Sequence, residues 1–336
     1  MNRTMKRKEV MRYLTNVSQL AYVRHYRVDD GPGMYMRALE VNNGSGLVFC
    51  VLPDRGMDIS HASYKGVNLS FLTANANISP AFYEPNGIGW LRTFNGGLLT
   101  TCGLTHFGPP SDAGDHGLHG RYSTLPAKIL NDESGWKGDE YFIEICGTVE
   151  EARLFGDKLR LKRRISCKYA EPLIHVEDTV ENFGSEKSPF MILYHVNLGY
   201  PLLNENAKIH MNPIESVPRD KDAKSGFDKK LLFHPPTKGF REQVFFHRLK
   251  TDKTSWSEVE LENGDLSLSL AIRYDSRTLP YLTQWKMAGI SDYVLGLEPC
   301  NSPCMNRTDL IKKNLIQYLN PGQSKTMRLQ IKINEI

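Results

Sequence analysis

The chain has 336 residues, 40% of them hydrophobic and 24% charged, with a formal net charge of +4. This is ample material for one large β domain or two ordinary ones, and the composition is that of a globular protein without low-complexity tracts. The small net charge argues against a nucleic-acid face, no apolar run reaches the 18 residues of a membrane helix, and six cysteines without paired spacing do not suggest a disulfide framework. The basic start MNRTMKRKEV leads into no apolar stretch, so no secretory signal is expected. Free thiols and the cytoplasm are the corresponding expectations.

In chain order, Val10, Leu14 and Val17 fall at helical spacing and Tyr13 and Leu20 widen their face, which predicts a helical segment over about residues 7–21. Strand signals follow. Met34 to Val41 alternates, Asn42-Asn43-Gly44-Ser45-Gly46 turns, and Leu47 to Leu52 returns as the second arm of a hairpin. Tyr141 to Thr148, Leu159 to Cys167, Leu173 to Asn182 and Phe190 to Leu198 are further β-rich runs. The basic stretch Lys158 to Arg164 alternates with Leu and reads as a strand with one solvated face. Asn204 to Arg241 is polar and contains proline, so an elaborated loop is expected there. Asp265 to Tyr274, Tyr281 to Met287, Tyr293 to Leu297 and Thr326 to Ile333 complete the set. Many short strands at hairpin intervals, without alternating helices, predict a mainly β, antiparallel sandwich or barrel in one domain over 1–336, with the helix packed on it.

Four segments carry candidate chemistry. In Arg92 to Leu104, RTFNGGLLTTCGL, Gly96 and Gly97 allow close backbone approach or positive φ, and Arg92 offers a fork of donors to ligand hydroxyls; a surface arginine beside a glycine bulge is the plainer alternative. His106 to Arg121, HFGPPSDAGDHGLHGR, is a loop with three histidines and two aspartates. Its spacing matches no standard zinc pattern, so a polar binding loop is expected and no metal. In Ser188 to Leu203 an apolar run leads into His195 and then Asn197-Leu198-Gly199, placing the imidazole at a strand end where side chains reach a cleft. In Val294 to Pro303, Glu298 closes another apolar strand. A carboxylate there is costly to bury without a partner, so it is either solvent-facing or functional.

Leu118-His119-Gly120, the His195 to Leu198 strand end and Leu297-Glu298, in that order, resemble the aldose 1-epimerase (galactose mutarotase) superfamily. The segments Pro53 to Ser60 (PDRGMDIS) and Phe94 to Leu99 (FNGGLL) resemble its DUF4432 branch. The resemblance implies a β-supersandwich whose concave sheet holds a sugar, with no cofactor. It implies Glu298 as the general base on the anomeric hydroxyl and His195 as the general acid on the ring oxygen. It also implies His119 as a sugar ligand, with Arg92 and Asn197 as further candidate contacts. The family's aspartate sugar ligand has no counterpart here, and Glu242 lies at about the right distance to replace it; the usual Asn-Arg element reads Arg92-Thr93-Phe94-Asn95. Trp90 and Trp285 are stacking candidates or core residues. A small-molecule sugar is the implied partner, with neither nucleic acid nor membrane. A carbohydrate lyase or hydrolase on the same scaffold, and a sugar sensor without turnover, are the competing readings; the first needs a second acid/base group, and the second would show loss of His195 or Glu298.

Overall fold

Successive side chains leave a strand on opposite faces, and the chain uses this rule throughout. Burial alternates residue by residue along Lys158–Lys168 and Leu173–Asn182. The computed structural model, which describes residues 6–336, arranges such strands into three antiparallel sheets. The first has five strands in sequence order, from Tyr22–Arg27 to Val67–Asn68. The second has nine, with Ser324–Glu335, Leu173–Asn182 and Lys158–Lys168 side by side at its centre. The third has seven, running Pro213–Pro218, Gln243–Leu249, Tyr281–Ala288, Tyr293–Cys300, Ser188–Leu198 and Gln317–Leu319, with Thr100–Leu104 also paired to Ser188–Leu198. The fold is mainly β, an antiparallel β-supersandwich. One cluster of buried side chains joins all three sheets, including Phe49, Leu161, Val176, Val196 and Leu297. No helix among the described residues is long and apolar enough to cross a membrane.

A buried ionic group ties the three sheets together. Arg163 stands across from Asp178 in the nine-stranded sheet, and its Nε and Nη2 donate to the two Asp178 oxygens at 2.9 and 2.6 Å. Nη1 donates to Asp58 of the five-stranded sheet at 3.1 Å, and Nη2 also reaches Thr101 Oγ1 at 2.8 Å. Tyr194 of the seven-stranded sheet donates its hydroxyl to Asp178 at 2.8 Å. The Arg163 side chain has no exposed surface. Burial raises Asp58 to about 6 against the opposing pull of Arg163.

Two expected elements differ. The N-terminal helix is a single turn, Arg7–Val10, followed after a break by a 3-10 turn at Val17–Gln19. Asn16 accounts for the break: its side chain accepts from the Ser18 amide in an extended conformation, a local bond that competes with helix. Tyr13 is 79% exposed, so the apolar face is not buried as a unit. The stretch from Asn204 to Arg241 holds two strands, Lys208–Met211 and Pro213–Pro218, then a short helix, Lys221–Ser225. Prolines at both ends of Pro213–Pro218 suit its edge position, where an N–H can be spared.

Replacing Arg163 by Met strands two buried carboxylates and should cost about 3–5 kcal/mol in urea unfolding. Tyr194→Phe, which removes one hydrogen bond to Asp178, should cost about 1–3 kcal/mol. A loss below 1 kcal/mol for Arg163→Met would mean that the ionic group does not hold the sheets together.

Candidate active site

The same two-fold alternation brings the candidate groups to the face of the seven-stranded sheet turned away from the main core. Tyr194, Val196 and Leu297 point inward, so His195 and Glu298 point outward. The register that matches Leu193 to Cys300 and Val196 to Leu297 sets His195 across from Glu298, and Thr283 flanks Glu298 on the next strand. His195 Nε2 lies 3.3 Å from Glu298 Oε1, with side-chain exposures of 6% and 2%. His195 Nδ1 and Glu298 Oε1 have no hydrogen-bond partner. A buried polar atom left unpaired costs about 1–3 kcal/mol.

Gly296 makes room for this arrangement. It lies two residues before Glu298 on the same strand face, across from Trp285. A Cβ there would stand 2.4 Å from Glu298 Oε1, 3.0 Å from Trp285 Cβ and 3.3 Å from His195 Cε1. The missing side chain is the seat of the carboxyl group.

His195 and Glu298 line a cavity of about 310 Å³, within the range of small-molecule sites. Aromatic rings surround the pair: Phe94 and Trp285 each lie 5.5 Å from the His195 ring. Trp90 stacks on Phe94 at 4.4 Å, its indole N–H donating to Ser123 Oγ. His119, held at φ 58° in the Leu118-His119-Gly120 turn, brings its ring to 4.8 Å from Trp90 and 5.7 Å from His195. On the strand side, Arg219 Nη2 and Trp285 Nε1 donate to the two oxygens of Glu242, each at 2.8 Å, while Arg219 Nε donates to Asp220 at 2.7 Å.

Burial dominates the electrostatics. It raises Glu298 well above the usual carboxylate range, with the Glu242 charge adding to it and Arg219 opposing. It lowers His195 to about 4 and His119 to about 3. At neutral pH the two imidazoles are therefore uncharged, and burial holds the Glu298 carboxyl towards its acid form.

His119, His195, Glu242 and Glu298 meet at this cavity. Arg92 does not line it: its side chain is 74% exposed and pairs with Glu84 at 3.2 Å. Asn197 lies on the His195 face but is covered, donating to Gly97 O at 3.0 Å and His195 O at 2.9 Å. It braces the strand against the glycine turn, where Gly97 has φ 88° and a Cβ would meet Ile59 O at 2.7 Å. The three histidines of the 106–121 loop diverge, since His106 and His116 stack on each other at 4.9 Å and His119 alone lines the cavity. Among the described residues no three His, Cys, Asp or Glu side chains converge as a metal site. Arg219 and Thr283 also line the cavity and escaped sequence reasoning. Arg219 sits in the stretch read as a loop, marked only by Asp220, which caps the short helix after it.

The model of the family described as "Domain of unknown function (DUF4432)" matches residues 33–333. The chain belongs to the DUF4432 family. Its fold is galactose mutarotase-like. A provisionally assigned aldose 1-epimerase from Klebsiella pneumoniae subsp. pneumoniae MGH 78578 superposes with a TM-score of 0.86 at 25% identity, over 95% of this chain and 86% of that one. A galactose mutarotase-like protein from Clostridium acetobutylicum gives 0.68 at 13% identity, over 95% and 100%. A galactose 1-epimerase from Lactobacillus acidophilus NCFM gives 0.60 at 14%, over 94% and 99%. At these last two identities the likeness is one of fold. No curated protein matches the chain.

In this DUF4432 protein, Gly296→Ala should leave the fold intact yet push the Glu298 carboxyl out of its seat. Carboxyl-carbon NMR should then find Glu298 titrating closer to the ordinary glutamate range than in wild type; an unchanged titration would refute the seat. Imidazole nitrogen NMR should find His119 and His195 uncharged from pH 8 down to about pH 5.

Proposed function

We propose that the chain is a carbohydrate isomerase of the aldose 1-epimerase type, interconverting the anomers of a sugar by acid/base ring opening and reclosure. One observation carries the reading: His195 Nε2 and Glu298 Oε1 lie side by side at 3.3 Å, buried, on one cavity. The anomeric hydroxyl and the ring oxygen are attached to the same carbon. A base for one and an acid for the other must therefore be neighbours, as this pair is.

The proton balance is simple. The pair carries one proton, and moving it from Glu298 to His195 leaves a carboxylate and an imidazolium with no change in total charge. The carboxylate takes the proton of the anomeric hydroxyl, the freed electrons form the C1 carbonyl, and the C1–O5 bond breaks. His195 gives its proton to O5. Rotation about C1–C2 and reclosure, with both transfers reversed, yields the other anomer. No electrons leave the sugar, so the cycle needs no redox cofactor. His119, Arg219 and Glu242 are placed to bind hydroxyls, with Glu242 in the part left open by the missing aspartate, and Trp285 offers a ring face. Arg92 and Asn197 have no direct part in this scheme. Among the described residues Glu242 is the only carboxylate besides Glu298 lining the cavity, and Arg219 and Trp285 already hold it. This favours isomerisation over hydrolysis, which needs a second poised acid/base group. Six free cysteines suit a reducing compartment, the cytoplasm.

Anomer exchange followed by NMR across a panel of aldoses should exceed the buffer rate for at least one sugar. Glu298→Gln and His195→Asn should each slow it by about 10²- to 10⁴-fold. Exchange at the buffer rate with every sugar would sink the isomerase reading; full activity in both variants would sink the residue roles. The rate should be flat around neutral pH and fall as pH drops towards about 4, where His195 charges beside a protonated Glu298 and no base remains. It should fall again at alkaline pH once the pair has lost its single proton.

A further inference from the structure

We propose that the cavity selects an uncharged sugar bearing a methyl group in place of the hydroxymethyl arm at C5, that is, a 6-deoxyhexose. This rests on the acid/base reading above, which orients the ring. With Glu298 on the anomeric hydroxyl and His195 on the ring oxygen, C2 stands on the Glu298 side and C5 on the His195 side. The two sides differ in chemistry.

On the Glu298 side the next strand brings Thr283 and Trp285 alongside, and Trp285 and Arg219 both donate to Glu242 at 2.8 Å, so hydroxyls at C2 and C3 find both acceptors and donors. On the His195 side stands Phe94, 5.5 Å away, with Trp90 stacked behind it at 4.4 Å. The polar atom of Trp90 is already used on Ser123. Ile88 and Leu91, 65% and 48% exposed, continue this apolar wall to the mouth of the same cavity. Among the described residues His119 is the one polar side chain on that wall, enough for a hydroxyl at C4 but not for a second at C6. A C6 hydroxyl against this wall would give up its water without gaining a partner, whereas a methyl group would remove apolar surface from water.

Charge narrows the choice independently. Among the described residues Arg219 is the only Lys or Arg side chain lining the cavity, and Asp220 and Glu242 both hold it, at 2.7 and 2.8 Å. A phosphate, sulfonate or carboxylate on the sugar would meet no free cation and would face Glu242.

The test uses matched triads that differ only at C6: D-fucose, D-galactose and L-arabinose; L-fucose, L-galactose and D-arabinose; D-quinovose, D-glucose and D-xylose; L-rhamnose, L-mannose and L-lyxose. Galactose 6-phosphate and glucose 6-phosphate serve as charged probes. Exchange NMR on the full chain should give, in the triad whose ring configuration fits, a kcat/KM for the 6-deoxy sugar at least about tenfold above its hexose, equivalent to about 1.4 kcal/mol, and above its pentose. The phosphates should be the poorest substrates. A hexose or a phosphate that equals or beats its 6-deoxy analogue overturns the proposal and leaves the isomerase reading standing. If nothing exchanges above buffer, the isomerase reading fails, and saturation-transfer NMR still decides the subsite: transfer strongest to the methyl protons of a 6-deoxy sugar supports it, and no preferential transfer to them overturns it. The double variant Ile88→Asn/Leu91→Gln, at two exposed positions that the fold does not depend on, should erase most of the 6-deoxy preference. An unchanged ratio assigns the wall wrongly.

Discussion

Arg163 is the point on which the three sheets agree. Its guanidinium is buried and answered by Asp178 in its own sheet, by Asp58 in the five-stranded sheet and, through Asp178, by Tyr194 in the seven-stranded sheet. Desolvating so many charges brings little net stability, and apolar replacements of buried ion pairs are often as stable. What the group supplies is phase. A strand shifted by one residue would turn every side chain to the other face, and Tyr194 bonded inward holds its strand in the one setting that turns His195 outward. The cavity chemistry thus begins on the opposite side of the sheet from the cavity.

Burial does the rest of the electrostatic work. A lone carboxylate or imidazolium at these positions would be unfavourable, and both groups answer by moving towards their uncharged forms. Placed side by side in a site with little water, they hold the proton on the Glu298 side of the contact, because burial favours the acid form of the one and the neutral form of the other. That is a suitable starting point for passing one proton onto a sugar while taking another off. The seat left by Gly296 makes the arrangement possible, because no side chain stands where the carboxyl oxygen lies.

Floor and walls have different origins. The floor comes from paired strands, whose hydrogen bonds leave little freedom in the positions of His195, Glu298, Thr283 and Trp285. The walls come from two loops that contribute Ile88, Leu91, Phe94, Leu118 and His119. Loops change without disturbing a sheet, so one fixed floor can carry walls of different outline within a shared scaffold.

Five strands of the nine-stranded sheet were legible because alternation is a local property, and Leu173–Asn182 was read to its ends; Trp256–Asn263 and the short Lys128–Asp132, Gly135–Lys137 and Lys208–Met211 were not read. His195 and Glu298 stood out as polar residues in otherwise apolar runs, although each strand continues past them, to Leu198 and to Cys300. The N-terminal helix was over-read because spacing alone does not weigh the competing bond from Asn16. The stretch from Asn204 to Arg241 was under-read because its strands are short, proline-bounded and at an edge. Arg92 and Asn197 carried suitable donors, yet donor type does not say which way a turn residue points or which carbonyl will cover an amide. Local pattern therefore settled the fold class and many strand positions, and it singled out His195 and Glu298 as candidates. That His195 and Glu298 touch, that Arg219 and Glu242 join them, and that one side of the cavity is apolar follow from pairings between segments about a hundred residues apart. Such contacts depend on register and on which loops fold over which face, and neither is encoded in any single stretch of the chain.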